Sequence, residues 1–166
     1  ATECGFIPGA RGIDADTFPE LAREIARCGV DALEVSGGMW ACLVRPEDDL
    51  GFPPVPAPES HTRLARAERQ SYFLSYVKGL DLDIPIILVG GNRDVERLEK
   101  ILRQGHVDFI AMSRPLIREP DLPKRWLEGR GRSTAACVSC NACIYDMWTH
   151  VERGEAWVAR CLVKQD

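Results

Sequence analysis

Apolar and polar positions in the first part of the chain alternate between helical and strand spacing. Apolar side chains recur at helical intervals between Thr17, which suits a helix start, and Gly29, which suits a helix end. The spacing predicts a helix there, and the apolar run that follows predicts a short strand within residues 30–38. Residues 39–65 are rich in proline and predict a long irregular segment.

The same alternation continues through the second half of the chain. Residues 66–80 place aromatic and aliphatic side chains on one face and predict a second helix. Wholly apolar runs within 84–91 and 107–113 predict strands buried on both faces, as parallel strands usually are. Amphipathic patterns at 93–104 and about 121–128 predict two further helices.

The order of these elements predicts the fold class. Alternating helices and strands imply an α/β fold in which helices cover a parallel sheet. Two segments are weakly similar, "CGVDALEVSGG" and "QGHVDFIAMSRP", and a repeated βα unit favours a (β/α) barrel. A Rossmann sheet is the alternative, but its G-x-G-x-x-G turn does not occur. Only three core strands are visible whereas a closed barrel needs eight, so we predict a partial (β/α)8 TIM barrel.

Composition and charge narrow the classes of function. The 166 residues suffice for one domain with a core, and the formal net charge of −4 argues against non-specific nucleic-acid binding. No apolar run approaches the ~20 residues that a membrane helix needs. The first residues lack the pattern of a signal peptide, so we expect a cytoplasmic protein. Its seven cysteines are then expected to be thiols or ligands rather than disulfides.

Small and polar residues follow two of the predicted strands. Gly90, Gly91 and Asn92 come after one strand, and Ser113 and Arg114 come after the next. Ligands of parallel α/β folds bind beyond the carboxyl ends of the strands, where glycine allows close backbone approach and arginine suits phosphate. These five residues are candidates for binding the phosphate of a cofactor. An ordinary glycine turn and an arginine paired with a nearby carboxylate are the alternative.

Four cysteines near the end of the sequence have the spacing of a ligand set. Cys137, Cys140 and Cys143 form C-x2-C-x2-C, and Cys161 follows further along the chain. Thiolates at this spacing can hold one iron–sulfur cluster, with the remote cysteine as the fourth ligand. Tetrahedral Zn²⁺ and free thiols are the alternatives, and the sequence leaves the choice open.

Three segments together resemble the C-terminal part of the old yellow enzyme family, the FMN-dependent NADH:flavin oxidoreductases. They are "GVDALEVSGG", "IPIILVGGNRDVERLEKILRQGHVDFIAMSRPLIREPDLPKRW" and "CVSCNACI". The resemblance implies an eight-stranded (β/α) barrel, of which this chain matches strands six to eight. Residues 1–130 would be the C-terminal part of the barrel, and residues 131–166 a cysteine-containing tail.

The resemblance also implies roles for the residues after the strands. Backbone amides near Gly91 and Asn92, and near Ser113 and Arg114, would hold the FMN phosphate, with the Arg114 side chain helping. The family has glycine where this chain has Ser113. Some members carry a 4Fe–4S cluster just after the barrel.

The activity implied by the resemblance is hydride transfer from NAD(P)H to FMN and on to a small-molecule acceptor. The family's substrate-binding histidines and catalytic tyrosine lie on earlier strands, so no catalytic residue is assigned here. We therefore expect the N-terminal part of the barrel, or an oligomer, to complete the site. A non-catalytic phosphate- or metal-binding fragment of a truncated flavoprotein is the alternative.

Overall fold

The computed structural model describes residues 13, 15–37, 68 and 70–163. The predicted proline-rich segment lies outside the described residues, as does most of the upstream part of the helix predicted at 66–80. No described helix is both long enough and apolar enough to cross a membrane.

Three short parallel strands form the sheet, in the order β1-β2-β3. They are β1 (Leu33–Val35), β2 (Ile86–Leu88) and β3 (Phe109–Ile110). Leu33 is paired with Ile86, and Ile87 with Phe109. The strands are therefore adjacent in the sheet in the same order as in the sequence. The α/β class and the parallel sheet are confirmed. The sheet is compatible with part of a barrel.

Helices connect and cover the strands. Within the described ranges they are α1 (Phe18–Arg27), α2 (Leu74–Val77), α3 (Val95–Arg103), α4 (Arg114–Arg118), α5 (Leu122–Leu127) and α6 (Ala142–Glu152). α3 begins with a side-chain cap, because Asp94 accepts a hydrogen bond of 3.0 Å from the backbone N–H of Arg97. The predicted helix at 66–80 is shorter than expected because Ser71 has a left-handed φ of +53°, which interrupts a helix.

The core lies between the sheet and the helices α1, α2 and α3. Its buried members are aliphatic and aromatic: Phe18, Ala22, Val35, Phe73, Val77, Ile86, Leu88, Leu98, Ile101 and Val107. The central strand β2 is the best covered, since Leu88 is fully buried. The prediction that residues 107–113 are buried on both faces is wrong for Phe109, whose side chain is 57% exposed. Phe109 lies on β3, which is paired with β2 on one side and has no further strand on its other side among the described residues to help cover it.

Candidate anion pocket and cysteine loop

The carboxyl ends of β2 and β3 open into one pocket, which we call the anion pocket. It contains about 490 Å³ of open space. Its lining includes all five residues that the sequence proposed for cofactor binding: Gly90, Gly91, Asn92, Ser113 and Arg114. Tyr72 and Arg93 also line it, and the sequence analysis assigned neither of them to the site. The residues that follow β2 and β3 therefore lie in one pocket, as the sequence predicts. That they bind a cofactor stays a prediction.

The glycine pair after β2 is required by both conformation and space. Gly90 and Gly91 have φ values of +100° and +71°, in the region that favours glycine. A Cβ on Gly90 would lie 2.6 Å from Tyr72 Cε2 and 2.7 Å from Phe73 Cδ2, and one on Gly91 would lie 2.9 Å from Tyr72 Cδ1. The aromatic ring of Tyr72 thus packs directly against the backbone of the turn.

Asn92 ties the two strand ends together. Its side chain is only 2% exposed, and its Nδ2 donates to the carbonyl oxygens of Leu88 at 2.7 Å and Ala111 at 3.0 Å. Its Oδ1 is buried and has no hydrogen-bond partner among the described atoms. Asn92 therefore fixes the spacing of the pocket walls and keeps one acceptor available for a donor.

Arg93 is a buried cation beside the pocket. It is 2% exposed, and it donates to the carbonyl oxygen of Cys137 and to Oγ of Ser139. Burial lowers the pKa of Arg93 and the charge of Arg114 lowers it further, whereas the thiolate form of Cys137 raises it. Its Nε has no partner within the described part of the chain. Because a buried charge is costly unless it is paired, Arg93 favours an anion nearby.

Arg114 approaches the pocket from the end of β3, at the first position of α4. Its Nη1 donates to Oδ1 of Asn141, and its guanidinium also hydrogen-bonds the phenol of Tyr72. Burial raises the pKa of Tyr72, while the positive charges of Arg114 and Arg93 oppose that rise. Two guanidinium groups thus converge on one region, which is the electrostatic arrangement that attracts a phosphate.

The four cysteines proposed as ligands line a second pocket, which adjoins Arg114. Cys137 and Cys140 belong to residues 137–141, the cysteine loop, which leads into α6, where Cys143 lies. Burial raises the pKa of the Cys143 thiol, and Cys137 and Cys140 add to the rise through like charge. Arg118 Nη1 lies 3.7 Å from Sγ of Cys161.

The thiols do not converge as a ligand set in this structure. All four are free, and the described residues include no group of three or more His, Cys, Asp or Glu side chains placed to hold a metal ion. Thiolates are good ligands for a metal ion, but these thiols are not placed to share one. Whether they bind one stays a prediction.

The end of the described chain packs on α6. Asp146 accepts hydrogen bonds from Nε1 of Trp157 at 3.0 Å and from Nη2 of Arg160 at 3.1 Å. These contacts bring Cys161 back to the pocket that the other three cysteines line. Trp157 and Arg160 therefore fold the last described residues back onto α6.

Comparison with known proteins supports one family. No protein-family model matches the chain. The chain is 32% identical over 136 residues to an NADH oxidase from Thermoanaerobacter brockii, covering 82% of this chain and 18% of that protein. It is 32% identical over 117 residues to the NADH-dependent flavin oxidoreductase iliE from Hypocrea jecorina, covering 64% of this chain and 27% of that protein. The chain belongs to the old yellow enzyme-like family.

Another relative is a metal reductase from Desulforamulus reducens, 28% identical over 137 residues. It is likewise matched over 82% of this chain and 18% of its own length, so the chain spans about a fifth of this relative and of the NADH oxidase. The resemblance inferred from the sequence is confirmed, and the relatives are named as oxidoreductases.

Proposed function

We propose that the chain is the FMN-phosphate-binding, C-terminal part of the (β/α)8 barrel of an FMN-dependent NAD(P)H oxidoreductase. The observation that carries the proposal is the anion pocket, where the five candidate residues, Arg114 among them, line one space together with a second arginine, Arg93. Membership of the old yellow enzyme-like family supports the same class of cofactor and the same kind of reaction.

The residues of the anion pocket fit a phosphate group. The ring of Tyr72 occupies the space that a Cβ on Gly90 or Gly91 would take, so the glycines let Tyr72 pack at the edge of the pocket, and Arg93 needs a nearby anion to offset its burial. Arg114 presents a planar fork that matches phosphate oxygens. When bound, FMN supplies the hydride-accepting ring. The residues of this chain would bind and orient its phosphate.

Completion of the site requires further strands. Among the residues that the structure describes, β1 and β3 are the outer strands of the sheet, and Phe109 on β3 is more than half exposed. We propose that the earlier strands of the same barrel, or another copy of the chain, cover these edges and supply the residues that contact a small-molecule substrate. Light scattering tests self-association, and a strictly monomeric chain would contradict the second copy.

The cysteines are proposed to bind a 4Fe–4S cluster, with Zn²⁺ as the alternative ion. All four line one pocket, which supports a shared ligand, although the thiols would have to turn toward one another. Iron and zinc measured in the purified protein test this. Cys143→Ser should abolish the metal content and the exposed Cys28→Ser should not. Equal metal in both variants, or none in the unmodified protein, would contradict the proposal.

The direct test of the phosphate site is binding of FMN compared with riboflavin, which lacks the phosphate. We expect the chain to prefer FMN, and Arg114→Ala to weaken FMN binding about 10- to 100-fold with little change for riboflavin, because charge-assisted hydrogen bonds are worth about 1.5–3 kcal/mol. Arg103→Ala, on the exposed face of α3, is the control and should change neither affinity. Equal affinity for FMN and riboflavin in the unmodified chain would overturn the proposal.

A second candidate function is non-catalytic binding of a phosphate or a metal by a fragment of a truncated flavoprotein, and the anion pocket and the cysteine-lined pocket would support it equally. NADH separates the two functions. Loss of the visible absorbance of bound FMN on adding NADH supports the oxidoreductase, and bound FMN that NADH leaves unchanged supports the fragment.

We propose a cytoplasmic location, in keeping with the five described cysteines, all of which are free thiols.

A further inference from the structure

The cysteine loop contacts both arginines of the anion pocket. Arg93 donates to the carbonyl oxygen of Cys137 and to Oγ of Ser139, and Arg114 donates to Oδ1 of Asn141. Ser139 is 1% exposed and Asn141 is 9% exposed, so water does not readily replace these acceptors. Both guanidinium groups are therefore held by acceptors of the cysteine loop.

We infer that Ser139 and Asn141 are positioning residues for the anion pocket, holding the guanidinium groups of Arg93 and Arg114 in place for a bound phosphate. The inference rests on the proposed function. Both acceptors are neutral, so each contact orients a guanidinium without neutralising its charge. A carboxylate in the same place would instead compete with phosphate for the same donors.

The backbone of the cysteine loop fixes where these acceptors lie. Ser139 and Asn141 have φ values of +54° and +63°, and both therefore adopt the left-handed conformation. Asparagine tolerates this region better than most residues. The orientation of both arginines therefore depends on the conformation of the cysteine loop. A change of the loop is expected to change anion affinity, and a bound anion to stabilise the loop.

Substitutions at Asn141 separate positioning from folding. Asn141→Gly keeps access to the left-handed backbone and removes the acceptor, so the dissociation constant for FMN should rise about three- to tenfold. Asn141→Asp keeps the shape and adds a negative charge, so it should weaken FMN binding further, on the order of tenfold or more. Riboflavin affinity should be unchanged in both. Gln104→Ala, at the exposed end of α3, is the matched control and should change neither ligand.

Titration of FMN and riboflavin, followed by flavin fluorescence, gives outcomes that can be told apart. An unmodified chain without preference for FMN overturns the proposed function itself. An unmodified chain that prefers FMN, with the full preference kept in both Asn141 variants, overturns only this inference. Equal loss of both ligands indicates a general structural role and also overturns it. If Asn141→Gly does not fold, Asn141→Asp and Ser139→Ala provide the same comparison.

Discussion

Two glycines allow the crowding at the anion pocket to be measured separately from backbone strain. Gly91 and Gly105 both have a φ of +71°, so alanine imposes similar conformational strain at either position. Their surroundings differ. A Cβ on Gly91 would lie 2.9 Å from Cδ1 of Tyr72 and 3.2 Å from the backbone nitrogen of Ser71, whereas nothing lies within 4 Å of a Cβ on Gly105. The difference between the two variants therefore reports steric crowding.

The expected free energies follow from these contacts. A left-handed conformation costs an L-residue about 1–2 kcal/mol, and the lower freedom of the unfolded chain offsets about 0.4–1 kcal/mol of this. Gly105→Ala should therefore lower the free energy of unfolding by about 1 kcal/mol. Forcing an extra methyl group into a packed region costs a further ~1–3 kcal/mol, so Gly91→Ala should lower it by about 2–4 kcal/mol.

Urea unfolding of both variants checks this, with the slope against urea compared to confirm that the same surface unfolds. In a Tyr72→Ala background, Gly91→Ala should cost less than it does in the unmodified chain, because the ring that the new methyl group meets is then absent. Equal destabilisation by Gly91→Ala and Gly105→Ala would refute the reasoning, since crowding by Tyr72 and Ser71 would then contribute nothing.

Two other predictions follow from single contacts. Asn92→Ala leaves two strand-end carbonyl groups without their donor and should lower the free energy of unfolding by about 2–4 kcal/mol in urea, while a loss no larger than that of the surface control Gln104→Ala would contradict it. Hydrogen bonding from Arg160 holds the pKa of Asp146 below its usual range, so the attachment of the tail persists above the usual aspartate pKa and is lost as the pH falls through the lowered value. The indole N–H resonance of Trp157, followed by NMR, should titrate with that low midpoint, and an unshifted midpoint would count against the contact.

Local chemistry made part of the site predictable. Gly90 and Gly91 follow an apolar run, and a glycine pair there indicates a turn at the carboxyl end of a strand, where parallel folds bind ligands. Arg114 follows the next such run. Because neighbouring parallel strands end at the same edge of a sheet, these residues could be expected to meet, and they line one pocket.

The partners of the pocket could not be predicted in the same way. Arg93 bonds to residues 44 and 46 positions further along, and nothing near it in the sequence indicates that contact. The sequence predicts a helix over residues 66–80, whereas Ser71 has a left-handed backbone and the ring of Tyr72 packs on the glycine turn. The exposure of Phe109 depends on which strands lie beside β3, and the apolar run itself carries no such information.

The charge balance of the two arginines links the strand ends to the cysteine loop. Burial is the main cause that lowers the pKa of Arg93, the charge of Arg114 lowers it further, and the thiolate form of Cys137 opposes both effects. A buried guanidinium group that also feels a second positive charge is stable only if anions or strong acceptors surround it. An apolar side chain at position 93 would remove the repulsion, but it would also leave the Ser139 hydroxyl and the Cys137 carbonyl without their donor. Arg93 is therefore required by the loop as well as by the pocket, and a phosphate on the pocket side would reduce the electrostatic cost of keeping both charges there.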